Sequence, residues 1–335
     1  MPENLPNDYG DAAAEYAAVR TRAGLVDRRD WGVVELTGRD RVPFLHALLS
    51  NDVKSLAPGQ GCAATLLDVH GKIQVLLDVL VLEDRLLLLL PPGTAPRTLE
   101  ALDHYLFAEK VALTDLSAES ALLLVAGPEA PALVERAAGA RPGEAAWSHV
   151  AGALDGIALR LVRGAGETGE AEVWVLAPAK EAGRVRDALV AAGARPVGAT
   201  ALESLRIETG TPLLGRDVDD TVLLPEIPSA SLVSHTKGCY PGQEVVVRIR
   251  DRGHVNRLLT GLVLDGDVVP APGAELLADG ADAGRVTSAT RSLGLGRPIA
   301  LAFVRRQHAE PGNAVGVRVG EATVPARVAA LPFAR

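Results

Sequence analysis

Residues 235–253 read HTKGCYPGQEVVVRIRDRG, and within them KGCYPGQE spans 237–244. Two glycines and a proline surround Cys239, one of two cysteines among 335 residues, with Lys237 two positions before it and Glu244 five after. Pro241 suits the first turn of a helix, Glu244 and Arg248 stand four apart with the acid first, and Gly253 supplies a stop. The stretch therefore predicts a helix with Cys239 just ahead of its N-terminus, although Val245, Val246 and Val247 favour strand. There the helix dipole and Lys237 would draw a thiol pKa down from about 8.5 towards neutrality. The same glycines also read as a tight turn around a small, buried, inert cysteine.

The texture differs on the two sides of this stretch. From about Val255 onward come short strands parted by Gly, Pro and Asp, among them LLTGLVLDG from Leu258, which predicts a small antiparallel barrel. Upstream, helices and strands alternate irregularly. A strand is expected at 33–36, a helix at about 39–50 with Thr37 or Asp40 as its cap, and a second helix over 95–111. The apolar run IQVLLDVLVLEDRLLLLLPP at 73–92 is broken by Asp78 and by Glu83–Arg85, so it reads as two buried strands and a turn rather than a membrane span. Further strands are expected at SALLLVAG and ALRLV, and a helix over 178–194 closing on Gly193.

A chain of 335 residues exceeds what one core organises, so two or three domains are expected. With 34 Lys and Arg against 42 Asp and Glu, the net charge of −8 gives no global attraction to nucleic acid or to an anionic membrane. An anionic ligand would need a local basic lining. The opening segment MPENLPNDYG has no signal-peptide core, and Cys62 and Cys239 form neither a metal spacing nor a disulfide framework. The expectation is a cytoplasmic protein with no resident metal.

KGCYPGQE followed by an arginine and RG resembles the signature of the YgfZ proteins, folate-binding relatives of the glycine-cleavage T-protein (aminomethyltransferase) that support iron–sulfur proteins. The resemblance extends to GLVDRRDWGVVELTGRDRVPFLHALLSNDV (24–53), ALESLRIETGTPLLGRDV (201–218) and GRVTSATRSLGLGRPIALAFV (284–304). It implies an α+β fold of three domains around a central opening. Residues 1–254 would form the folate-binding region of two interleaved α+β domains, and 255–335 the antiparallel β-barrel.

The resemblance also implies site residues. Cys239 would be the reactive thiol with Lys237 beside it, and Glu208 the carboxylate at the pterin, where a bidentate hydrogen bond matches adjacent ring donors. Arg248 is the best cationic candidate among Arg248, Arg250, Arg252 and Arg257, while Glu226, Tyr240 and Gln243 complete the folate-site set. The T-protein carries an acidic pair in the hairpin that here reads DVHGKIQVLLDVLV. Val75 and Leu76 stand in its place, with Asp78 further along and Asp68 in the adjacent turn. Glycine-cleavage amine transfer is thus disfavoured. The resulting expectation is a tetrahydrofolate-binding accessory protein, not itself an enzyme, whose partners are iron–sulfur clients or assembly factors. The alternatives are a folate-dependent one-carbon transferase and a thiol hydrolase pairing Cys239 with His235 or His254.

Overall fold

The chain passes from one β-sheet to a second at a tight turn, residues 28–31, and returns through residues 116–119, and the architecture of residues 5–334, those described by the computed structural model, follows from these two crossings. Helix α1 (Ala12–Thr21) is capped by the Asp11 carboxylate, which accepts from the Ala14 N–H at 3.0 Å. Strands β1 (Gly24–Asp27) and β2 (Gly32–Thr37) flank the turn, and α2 (Arg41–Leu48) follows. Then come β3 (Gly61–Leu67), β4 (Ile73–Val81), β5 (Leu86–Leu90), α3 (Ala95–Asp103), β6 (Ala112–Asp115), β7 (Ser120–Ala126) and α4 (Ala130–Ala138). The chain continues through β8 (His149–Leu154), β9 (Ile157–Arg163), β10 (Glu172–Pro178), α5 (Ala182–Ala191), β11 (Arg195–Pro196), α6 (Ala199–Thr209) and α7 (Gln243–Arg252).

The first sheet has the order β11-β1-β7-β10-β9-β8, and only β1 and β11 run parallel. The second, β3-β4-β5-β2-β6, is antiparallel throughout. Each sheet buries its outer face under helices: α4 and α5 with Leu123, Val125 and Val185 on the first, α2 and α3 with Val34, Leu45 and Leu102 on the second. The inner faces converge with α1 and α6 on a shared core that includes Val19, Val33, Leu87, Leu124 and Leu205.

Residues 257–329 supply β12 (Arg257–Leu264), β13 (Glu275–Ala278), β14 (Ala281–Arg291), β15 (Pro298–Arg305), β16 (Ala314–Val319) and β17 (Ala322–Ala329), which close in the order β12-β15-β14-β13-β16-β17. The expected antiparallel barrel is therefore present, and closure leaves it no free edge. No helix among the described residues is long and apolar enough to cross a membrane.

The local expectations met different fates. The run at 73–92 is the β4–β5 hairpin, and its alternation has a clear meaning. Ile73, Val75, Leu77 and Val79 are buried, while Gln74, Leu76 and Asp78 point to the other face. Helix α6 ends at Gly210 in the left-handed conformation (φ 79°), as the sequence indicates. The helix expected over 95–111 stops at Asp103. Asp40 precedes α2 but does not cap it with its side chain, which accepts from the Lys110 N–H at 2.8 Å instead.

The helix after the motif begins at Gln243, not at Pro241, behind a left-handed Gly242 (φ 78°). A Cβ at Gly242 would lie 2.5 Å from the Asp68 carbonyl oxygen, so glycine is what lets this turn dock on the β3–β4 turn. Cys239 thus stands three residues ahead of the N-cap, beyond the first turn over which a helix dipole acts.

Candidate functional site

A cavity of about 620 Å³ opens between the inner faces of the two sheets, walled by α6, the 28–31 crossing turn, the 163–167 loop and the segment 211–216. Trp31, Trp147 and Trp174 all line it, and these are the only tryptophans in the chain. They come from a crossing turn, a loop and a strand, with Trp31 more than a hundred residues before the other two, so the fold assembles them. The Trp31 and Trp174 rings lie 4.7 Å apart at 51°, and the Arg28 guanidinium sits 5.0 Å and 5.3 Å from their centroids. Arg28 is fixed in turn by Glu167 at 3.0 Å.

Asp78 reaches the cavity because β4 alternates. It shares a face with Leu76, two residues earlier, and both line the wall. A shift of two along a strand preserves the face, so the absence of an acidic pair at 75 and 76 still leaves a carboxylate in this opening. Burial pushes the Asp78 carboxyl up to about 7 against a hydrogen bond from Trp147. Trp147 has φ 60°, a left-handed conformation costly for a bulky side chain, so the surrounding structure holds it there.

The other cavity carboxylates are engaged. Glu203 pairs with Arg206 at 2.6 Å and Arg216 at 3.0 Å. Glu172 accepts from the Thr168 N–H, the Thr168 hydroxyl and the Gly166 N–H, while burial raises its pKa. Arg163 and Arg216 keep part of their surface at the cavity wall. Asp30 differs, since both its carboxylate oxygens are shut off from solvent with no hydrogen-bond partner among the described residues. The Trp31 indole N–H is in the same state. A buried polar group left unpaired costs roughly 1 to 3 kcal/mol, and more when charged. No group of three or more His, Cys, Asp or Glu side chains among the described residues is arranged to hold a metal ion.

The residues singled out from the sequence lie elsewhere. Glu208 is buried in a smaller recess beside Tyr16, Arg20 and Phe333. It accepts from Tyr16 at 2.7 Å, Arg20 at 2.6 Å, Ser204 at 2.8 Å and Ser292 at 2.6 Å. Burial opposes its charge, but the hydrogen bonds from Ser292, Tyr16, Ser204 and Arg20 outweigh it and hold the carboxyl below its usual range. Its geometry ties α6 to α1 and to the barrel. Glu226 pairs with Arg257 at 3.1 Å and accepts from the Leu223 N–H. Arg250 is exposed and paired with Asp251, and Arg248 and Arg252 are exposed on α7. None of these arginines lines the large cavity.

The motif loop is built differently again. The Lys237 ammonium donates to the His46 and Leu49 carbonyls at the C-terminal end of α2 and lies 5.1 Å from the Tyr240 ring centroid. Burial brings its pKa down to about 8. Lys237 and Tyr240 are both buried, whereas Cys239 between them is exposed; the expectation of a buried, inert filler fails. Gln243 is the first residue of α7 and half-buried, and His235 and His254 are exposed. Burial pushes the Cys62 thiol, on β3, up to about 12. The sequence left the tryptophans, Asp30 and the cavity arginines unread; the clustering of three scarce aromatics was invisible without the fold.

The sequence pattern of the GCVT N-terminal domain matches residues 3–237, and that of the glycine cleavage T-protein C-terminal barrel domain matches 257–334. The stretch 238–256, with Cys239 and α7, lies outside both. An aminomethyltransferase of Rubrobacter xylanophilus is 34% identical over 99% of this chain and 88% of its own length. One from Frankia alni is 35% identical over 98% and 91%. The crystal structure of the glycine cleavage system aminomethyltransferase T from Bartonella henselae superposes with a TM-score of 0.89 at 24% identity, covering 98% of this chain and 91% of that one, a likeness of fold. Two domain patterns that together span nearly the whole sequence, on a fold with the same closed barrel, place the chain in the glycine cleavage T-protein family.

Proposed function

We propose that the chain binds a reduced folate in the central cavity and transfers a one-carbon unit from an amine donor, with Asp78 carrying the proton. The observation behind this reading is the convergence of all three tryptophans on one cavity that also holds a carboxylate titrating at about 7. The residues fit the ligand: flat indole faces suit a pterin, and Arg163 and Arg216 at the cavity wall suit the anionic glutamate tail. Tetrahydrofolate, when bound, supplies the nucleophilic nitrogen that takes up the one-carbon unit. The chain's part is to hold the ring between aromatic faces, limit water and move one proton at the Asp78 carboxylate. A group titrating near the working pH is suited to general acid–base catalysis, worth about 10²- to 10⁴-fold. The aminomethyltransferase names of the relatives support the same reading.

Asp78→Asn is expected to bind tetrahydrofolate like the wild type in calorimetry while losing about 10²- to 10⁴-fold of turnover with an aminomethyl or methylated-amine donor. Unchanged turnover would remove Asp78 from the chemistry. A wild type that binds no folate would remove the reading altogether.

A second reading, the YgfZ-type support of iron–sulfur proteins, rests on the exposed Cys239 held between buried Lys237 and Tyr240. Two cysteines cannot ligate a four-thiolate cluster within one chain, so the thiol would act on a client. In cells Cys239→Ser would then lower iron–sulfur enzyme activities at unchanged protein level; full activity in that strain would end this reading.

A further inference from the structure

We propose that residues 228–239 form a hinged strap that opens to admit the ligand of the central cavity and is latched shut by Lys237 on the C-terminal end of α2; with tetrahydrofolate as that ligand, the proposal rests on the folate reading above. Pro228, Ser231 and Leu232 of the strap line one wall of the cavity, beside Ala63 of β3. The strap contains no helix or strand, and Pro228, Ala230, Ser231, His235 and Thr236 are exposed. Its two ends are fixed, because Ile227 and Tyr240 are buried in one core with Leu259 and Phe303 of the barrel. Between them Leu232 and Val233 are only half-buried, and Gly238 stands in open space where a backbone hinge meets no obstacle.

The hydrogen bonds that fasten the strap go to one short segment, residues 46–51. The Lys237 ammonium donates to the His46 and Leu49 carbonyls, the Ser234 N–H to the Ser50 carbonyl at 3.0 Å, the Ser50 hydroxyl to the Leu232 carbonyl, and the Asn51 amide to the Ser231 carbonyl at 2.9 Å. The catch itself is bolted to β3. Ser50 Oγ accepts from the Thr65 N–H at 2.9 Å and the Thr65 hydroxyl at 2.8 Å, and the Asn51 amide also donates to the Ala63 carbonyl at 2.8 Å. Neighbouring walls are held by buried ion pairs instead: the 163–167 loop by Glu167 on Arg28 at 3.0 Å, and the 211–216 segment by Arg206, which pairs with Asp217 at 2.8 Å and donates to the Thr211 carbonyl at 2.9 Å. Lifting either of those walls strands a buried charge. Lifting the strap frees carbonyls and hydroxyls that water satisfies, and its one ammonium leaves with it into solvent, so this wall is the one that opens at low cost.

The test uses the full-length protein and stopped-flow binding of tetrahydrofolate, followed by tryptophan fluorescence. Lys237→Met keeps the length of the side chain and removes the latch, so association and release should both quicken by about tenfold or more while Kd moves by less than about threefold. A wall that only packs against the ligand would change release and Kd together and leave association alone. Asn51→Ala removes a single bond on the exposed side of the catch and should quicken both rates by about threefold, which carries the test if Lys237→Met does not fold. Unchanged rates in the folded variants, or faster release with a matching loss of affinity, would overturn the strap and leave the folate reading in place. A wild type that binds no tetrahydrofolate would end the folate reading, and acrylamide quenching of the three cavity tryptophans then decides the strap. The folded latch variant should raise the quenching constant by about twofold or more, and an unchanged constant would overturn it.

Discussion

The central cavity and the motif loop place their reactive groups in opposite ways. In the cavity, carboxylates are withdrawn from water, with Asp78 pushed up to about 7 and Asp30 unpaired, so the groups that could act are the ones that cost stability. In the loop, Lys237 and Tyr240 are buried and partnered while the thiol between them stands in solvent, so Cys239 costs the fold little. Strain retained in a fold points to a ligand or a reaction, because a packed alternative would be more stable. An exposed group carries no such signal, and its role must be judged by chemistry.

The largest expected contrast lies between the two cysteines. With a small alkylator at pH 8, Cys239 should react at least about 100-fold faster than Cys62, whose thiol is pushed up to about 12 by burial and then by the Asp78 and Asp52 charges. Peptide mass spectrometry over pH 5 to 10 reads both sites at once. Comparable rates would mean that β3 opens readily and would blur the division between buried and exposed sites.

Glu208→Gln tests whether a buried, fully satisfied carboxylate behaves unlike those of the cavity. It removes the charge opposite Arg20 at 2.6 Å, while Glu170 at 3.0 Å keeps that guanidinium paired, and should lower unfolding stability by about 1 to 3 kcal/mol in urea titrations, with ligand affinity unchanged in the folded variant. A weakened affinity at unaltered stability would return Glu208 to the binding site.

Asp78→Asn gives the smallest and most diagnostic effect. Its folded pKa of about 7 lies above the ordinary 3.8, so the native state holds the proton more tightly. The wild type then loses stability as the pH rises from about 4 to about 7 and keeps that loss above it. Since the cavity admits some solvent, the asparagine variant should gain about 2 kcal/mol at pH 8 and nothing near pH 4. A gain independent of pH would show that the carboxyl is not perturbed.

The sequence by itself determined what short-range chemistry decides. The alternation in 73–81, the break at 82–85, the glycine stop at 210 and the short strands after 257 each follow from periodicity or backbone freedom within a few residues, and all appear in the fold. The motif resembled one branch of a superfamily whose wider membership rests on the residues either side of it, and it misplaced the helix start, because Gly242 docks on the β3–β4 turn, a contact between segments about 170 residues apart. Only the tertiary structure decided which carboxylates face the opening. Glu208 looked like a ligand group next to a helix end, yet helix α6 is covered on nearly every side, and its neighbours from α1 and the barrel consume every lone pair within reach. Asp78 and the three tryptophans come together at one cavity because two sheets close on each other around α6, and closure depends on the summed burial of three cores rather than on any local pattern.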